Sequence, residues 1–181
     1  EPGGGAMNAM IRRVENIICS TLQQINFKKE TITSIGIFDV LEHIEKDEEF
    51  LQTIYLTLKK SGLLFITVPA YQTLWSAEDV FAGHFRRYTI NSFKEKLSRN
   101  GFEVLYKSYL FSFLPLPIFL KRTLKKNKQI NILQKAEKDH EEKKSLTGKL
   151  ISLILKNELK KVSSLQKIRF GSSCIIVARK K

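Results

Sequence analysis

Cysteine is scarce in this 181-residue chain, which has only Cys19 and Cys174. Each lies in an apolar run that reads as a strand, and neither belongs to a C-x-x-C or Cys/His cluster. That pattern argues against a disulfide framework or a thiolate metal site and for two buried, reduced thiols. No signal peptide is expected either, because the opening Glu1-Pro2-Gly3-Gly4-Gly5 has neither a basic region nor an apolar core. The expected setting is the cytoplasm. The longest apolar stretch, residues 109–120, is interrupted by Ser112, Pro115 and Pro117. It falls short of the ~20 residues that span a bilayer. Aromatic residues nearly vanish from the last third, where Phe170 stands alone between positions 121 and 181.

What is present suffices for one ordinary domain, since 43% of the residues are hydrophobic and a chain of this length can bury a core. The net charge of +13 is unevenly placed: residues 1–120 carry 13 Lys+Arg against 13 Asp+Glu, and residues 121–181 carry 18 against 5. A neutral domain with a basic appendage suggests either a solvated helical face or a surface that meets anionic lipid or nucleic acid. The shortage of aromatics and of Arg-rich base-reading patterns in that region makes nucleic acid the weakest of these.

Hydrophobic periodicity divides the chain further. Residues 6–13 read as the end of a helix, and 15–20 (ENIICS) as a short strand rich in β-branched side chains. Residues 34–40 (SIGIFDV) form a near-continuous apolar run of the kind buried on both faces of a parallel sheet. An amphipathic helix over 47–60 follows, with Ser61-Gly62 as its stop, and then a second buried strand over 63–68. This is a βαβ unit, whose crossover should be right-handed. Residues 71–88 read as a long loop, and loops of that length in a compact domain are usually functional. Thr89 caps a helix over 91–99 that stops at Asn100-Gly101, and a strand covers 102–112. Residues 117–168 turn Lys-rich with helical spacing: Ile151, Leu155, Leu159 and Val162 share a face, and Lys156, Lys160 and Lys161 lie elsewhere around the helix. Within this segment, 135–145 is a linker or a wet helix. A final strand covers 172–178.

In an open α/β sheet, ligands bind beyond the carboxyl ends of the strands. Ser20-Thr21-Leu22, Asp39 to His43 and Pro69-Ala70-Tyr71 are therefore expected side by side along one edge. The run I-G-I-F-D-V-L-E-H-I (35–44), the helix after it and L-K-K-S-G-L-L-F-I-T-V-P-A (58–70) resemble the fourth-to-fifth-strand unit of class I methyltransferases. G-H-F-R-R-Y-T (83–89) and N-G-F-E-V (100–104) are similar to a bacterial small-molecule branch of that family. The matched segments run in order over residues 1–115.

The resemblance implies a Rossmann-like methyltransferase sheet, mostly parallel with a final antiparallel strand. Its core would cover 1–116 and 169–181, with a basic helical insertion at 117–168. It implies S-adenosyl-L-methionine as cofactor and in-line displacement of the sulfonium methyl group by an oxygen, nitrogen or carbon nucleophile, with no metal needed. Family members open with a strand, a glycine-rich turn and a helix, and this chain departs from them, because Gly3-Gly4-Gly5 follows an acid. Glu1 then aligns with the end of the family's second strand, where two carboxylate oxygens suit two ribose hydroxyls. The preceding strand, helix and strand are expected to lie upstream or to be lost.

By the same resemblance Asp39, Val40 and Leu41 border the cofactor, and Thr21 and Leu22 flank its adenine. Glu42 and His43 form an acid–imidazole pair near the methyl end, where His43 can take a proton from a hydroxyl acceptor. His84, Arg86, Arg87 and Tyr88 lie on the loop that roofs the pocket, and His84 joins His43 as a candidate catalytic residue. The two arginines suit a carboxylate or phosphate on a small-molecule, lipid or sugar-type substrate, and equally suit salt bridges that anchor the loop. Tyr71 and Trp75 complete the substrate set, although Trp75, like Phe85, serves as well to pin the loop to the core. Two rivals remain: a non-catalytic binding module on the same fold, and a nucleic-acid methyltransferase.

Overall fold

A computed structural model describes residues 2–25, 27–113 and 146–181. Helix α1 (Pro2–Ile11) and a single helical turn α2 (Leu22–Ile25) precede strand β1 (Ile32–Phe38). Helix α3 (Asp47–Thr57), strand β2 (Leu58–Pro69), short helix α4 (Ala77–Phe81), helix α5 (Ile90–Arg99) and strand β3 (Phe102–Leu110) follow. Helix α6 (Leu146–Ser163) and strand β4 (Ser173–Lys180) close the order. Glu1 and most of the region before α6, residues 114–145, lie outside the described residues.

The sheet has four strands in the order β1-β2-β4-β3. β1 and β2 are parallel, and β4 runs antiparallel to both β2 and β3. Three strands thus point one way and the last is inserted against them, as the family resemblance implies. Along β2, Leu64, Ile66 and Val68 are fully buried opposite Ala178, Ile176 and Cys174 of β4. Phe50, Leu51 and Ile54 of α3 and Ile90, Phe93 and Leu97 of α5 join them in one core. Gln52 of α3 donates to Asn100 at the end of α5 at 2.8 Å, so both helices cover the same face. Phe65 of β2 and Leu105 of β3 stay exposed on the sheet.

The elements depart from expectation at several points, among them the 71–88 loop, which contains α4. The strand expected over 15–20 does not form: the backbone there is irregular, with Asn16 at φ 57°. A β-branched segment needs a ladder partner, and within the described residues β1 is a sheet edge that pairs only with β2. Cys19 is consequently exposed, against the expectation of two buried thiols, whereas Cys174 is buried and its thiol is pushed up to about 12 by burial. Helix α3 ends at Thr57, three residues early, and β2 starts at once. Leu58 pairs with Ile32 and Leu63 with Ser34, so residues 59–62 bulge out of β2. Ser61 there adopts φ 62°, and a Cβ on Gly62 would stand 2.8 Å from the Lys59 carbonyl oxygen, so the Ser61-Gly62 pair shapes a bulge and does not stop the helix. Strand β3 stops at Leu110 because Phe111 turns to φ 56°. The Glu158 carboxylate of α6 accepts the Phe111 and Ser112 amides, both at 2.8 Å, and the Ser112 hydroxyl.

Candidate active site

The carboxyl ends of β1 and β2 lie side by side, and each leads into a strained corner. Asp39 follows β1 at φ 52°, and Asp tolerates this left-handed region better than most residues. Its amide donates to the Thr67 carbonyl at 3.2 Å, and the Thr67 hydroxyl donates to its carboxylate at 3.2 Å. Tyr71 follows β2 at φ 58° and stacks on Tyr109 with ring centroids 5.1 Å apart. Burial raises its phenol's pKa, as does the Tyr109 hydroxyl beside it. A backbone bridge from Ala70 to Tyr88 ties the far end of the loop to the end of β2.

Two buried carboxylates order the loop between those points. Asp79 sits in the first turn of α4 and accepts the Ser76 amide at 2.8 Å and the Ser76 hydroxyl at 3.1 Å, a capping arrangement. It also accepts Arg87 Nε at 2.8 Å and a second Arg87 nitrogen at 3.1 Å, and it pairs with His84 Nδ1 at 2.9 Å. Burial alone would raise the Asp79 pKa, but the bonds from Arg87 and His84 outweigh it and hold the group below the usual carboxylate value. An ionised carboxylate can only accept, so Nδ1 carries the proton and Nε2 of His84 is left as the open nitrogen. Asp47, at the start of α3, accepts the Tyr88 hydroxyl and Lys96 Nζ at 2.8 Å each and pairs with Arg86 at 2.9 Å. Its pKa is lowered as well: burial opposes, and the bonds from Lys96, Tyr88 and Arg86 prevail.

These anchors bring three side chains together. The amide of Phe85 donates to the Glu42 carbonyl at 2.8 Å, which draws the loop onto the 3-10 turn Leu41–His43. The His43 and His84 rings meet edge to face, 4.6 Å between centroids and 81° between planes. Glu42 beside them is 1% exposed, and its Oε2 has no hydrogen-bond partner. Burial raises its pKa, and the neighbouring Asp39 adds to the rise.

The other expected site residues lie around this point. Asp39 and Val40 are exposed at the strand end, and Leu41 is fully buried in the core. The Thr21 hydroxyl accepts the Gln24 amide at 3.3 Å at the start of α2, and Leu22 packs on the core. Arg87 uses all three nitrogens, the last donating to the Ala70 carbonyl at 3.2 Å. Arg86 gives its other terminal nitrogen to the Glu45 carbonyl at 2.7 Å, and Tyr88 is buried against Asp47. Trp75 is half-buried after the 3-10 turn Gln72–Leu74. Sequence reasoning missed Asp79 and Asp47. The Ser76-to-Asp79 capping spacing was an available signal for the first.

Solved structures of similar architecture include a [4+2]-cyclase, SpnF, at 15% identity and TM-score 0.55, with 97% of this chain and 60% of that one covered. A SAM-dependent methyltransferase from Thermotoga maritima is similar at 15% identity and TM-score 0.55, covering 100% and 72%. Another from Archaeoglobus fulgidus is similar at 17% identity and TM-score 0.52, covering 94% and 72%. The chain thus spans about 60% of the length of the cyclase it matches. No curated protein matches it in sequence. A family model described as "Methyltransferase domain" matches residues 6–107, more than half of the chain, and the protein belongs to that family.

Proposed function

We propose that the protein transfers the methyl group of S-adenosyl-L-methionine to a small-molecule acceptor, of lipid or sugar type among others, held over Glu42, His43 and His84. The observation that carries this reading is the convergence of those three side chains at the carboxyl ends of β1 and β2, where an open α/β sheet binds its ligands. The residues present fit part of such a cofactor. Asp39 offers an exposed carboxylate to donors, and Val40 offers an exposed apolar wall. Bound there, the cofactor would supply an electrophilic methyl group. The protein's own task is to hold the nucleophile near it and to remove a proton where one must leave. His84 suits that task because Asp79 holds its Nδ1 and leaves Nε2 open.

Arg86, Arg87 and Tyr88 support the site from behind, through Asp47 and Asp79, and fix the position of His84. The core would comprise residues 1–116 and 169–181, with 117–168 as an insertion whose helix α6 could rest on an anionic membrane surface. The rival reading, a non-catalytic binding module on the same fold, differs in that it binds no such cofactor.

Calorimetric titration of S-adenosylhomocysteine into the protein in its complete reading frame separates the two. We expect saturable binding at one site, weakened by Asp39→Ala. Absence of binding would leave the binding module.

A further inference from the structure

We propose that Glu42, His43 and His84 form a binding site for a divalent first-row transition-metal ion, with Asp79 as the outer carboxylate that orients His84. One ligand atom from each of the three lies within 4.8 Å of the others. A shell with bonds of about 2.0–2.1 Å places its ligand atoms roughly 3.3 Å apart, so the set must close slightly. The exposed ring of His43 is free to swing inward for this. Glu42 supplies an independent indication: a carboxylate oxygen buried without a donor is costly, and Oε2 is such an atom. A metal ion is the partner it lacks.

The imidazoles agree with this assignment. His84 gives Nδ1 to Asp79 at 2.9 Å, which leaves Nε2 for the ion. A carboxylate behind a histidine is the usual support of a metal ligand, because it fixes the ring and raises its basicity. Glu42 has the Asp39 carboxylate and the Arg87 guanidinium as charged neighbours, and Arg87 is already bound by Asp79, so a dication improves the local charge balance. Two nitrogen donors and one oxygen favour zinc, cobalt, nickel or iron over magnesium, which prefers oxygen ligands and keeps its waters. Three protein ligands leave a coordination position open, as in catalytic sites. An acceptor hydroxyl bound there would be acidified and would give its proton to water, a task that His84 as a ligand would no longer perform. That last consequence rests on the methyl-transfer reading, whereas the binding itself rests only on these four residues.

The test is calorimetry with Zn2+ on the metal-stripped chain, backed by the absorption spectrum of Co2+ added in its place. We expect one ion per chain, with His43→Ala and Glu42→Gln each weakening binding at least tenfold. The first variant alters an exposed side chain, and circular dichroism checks that both remain folded. Failure of either ion to bind saturably, or binding unchanged in both variants, would overturn the site. S-adenosylhomocysteine titrated in parallel keeps the two readings apart. Ion binding without cofactor binding counts against the methyltransferase reading alone, and the converse counts against the ion alone.

Discussion

Asp47 and Asp79 divide the basic side chains of residues 84–87 between them, His84 and Arg87 going to Asp79 and Arg86 to Asp47. A buried carboxylate with several donors is stable only while ionised, which gives Asp47 a definite pH signature. Its pKa in the fold lies below the ordinary value of 3.8. Its contribution is therefore fully present above about pH 4 and is lost as the pH falls through the lowered folded-state value. Asp47→Asn should cost roughly 3 kcal/mol at pH 7, because Lys96 and Arg86 lose their buried partner. The gap from the parent chain should narrow steadily below pH 4. Urea denaturation of both proteins at pH 7 and at pH 3 measures it, and a gap independent of pH would remove Asp47 from the network. At this scale the sequence drew attention to some side chains but not to the carboxylates Asp47 and Asp79, nor to any partner. Glu42, His43 and His84 stand out as acid and imidazole after strand ends or on a loop. Tyr88 and Asp47, by contrast, meet across 41 positions, a pairing that only tertiary structure creates.

Elements with a long apolar run were legible because their burial pattern is local. β1, β2, β3 and β4 overlap the runs read as strands, and Thr89 caps α5 as expected, accepting the Ser92 amide at 3.2 Å. The same helix stops at Gly101, whose φ of 88° admits glycine at the C′ position. The unformed strand over 15–20 and the early start of β2 were not legible, since both depend on which neighbour is present. Helix α5 also shows where stability resides. Phe93 is completely buried and lies 5.0 Å from the Tyr88 ring, so one side chain joins the core to the loop that carries His84. Phe93→Ala should destabilise the fold by about 3–5 kcal/mol through lost burial and the cavity left behind. Phe81→Ala, at a position 69% exposed, should change it by no more than roughly 0.5 kcal/mol. Thermal or urea unfolding of the pair checks the contrast, and equal effects would mean that α5 is not the clamp on the loop.

Across the whole molecule, the excess of positive charge lies beyond residue 120, and α6 is the described helix of that region. No helix among the described residues is long and apolar enough to cross a membrane. Contact with a bilayer, as proposed, would thus be made from its surface. The stripe read from the sequence is only partly covered: Leu155 and Val162 are half-buried, Glu158 is anchored to the end of β3, and Ile151 and Leu159 remain exposed. Leu153 is 65% exposed beside Lys156 and Lys160. A helix that faced only the core would keep its apolar residues under cover. One that lies at an interface gains from shallow apolar burial and from anionic headgroups together. The two arrangements respond differently to lipid charge and to salt. Flotation with neutral vesicles and with vesicles containing phosphatidylserine should recover the protein only with the second kind. Recovery should fall as salt rises, because screening shortens the reach of the lysines from about 10 Å at 0.1 M to about 3 Å at 1 M. Lys160→Glu combined with Lys161→Glu should lower recovery at low salt and leave the fold intact, since both side chains are exposed. Failure to float with either vesicle would assign the lysines to solvent and leave Leu153 and Leu159 as ordinary exposed residues of a helix held by Glu158.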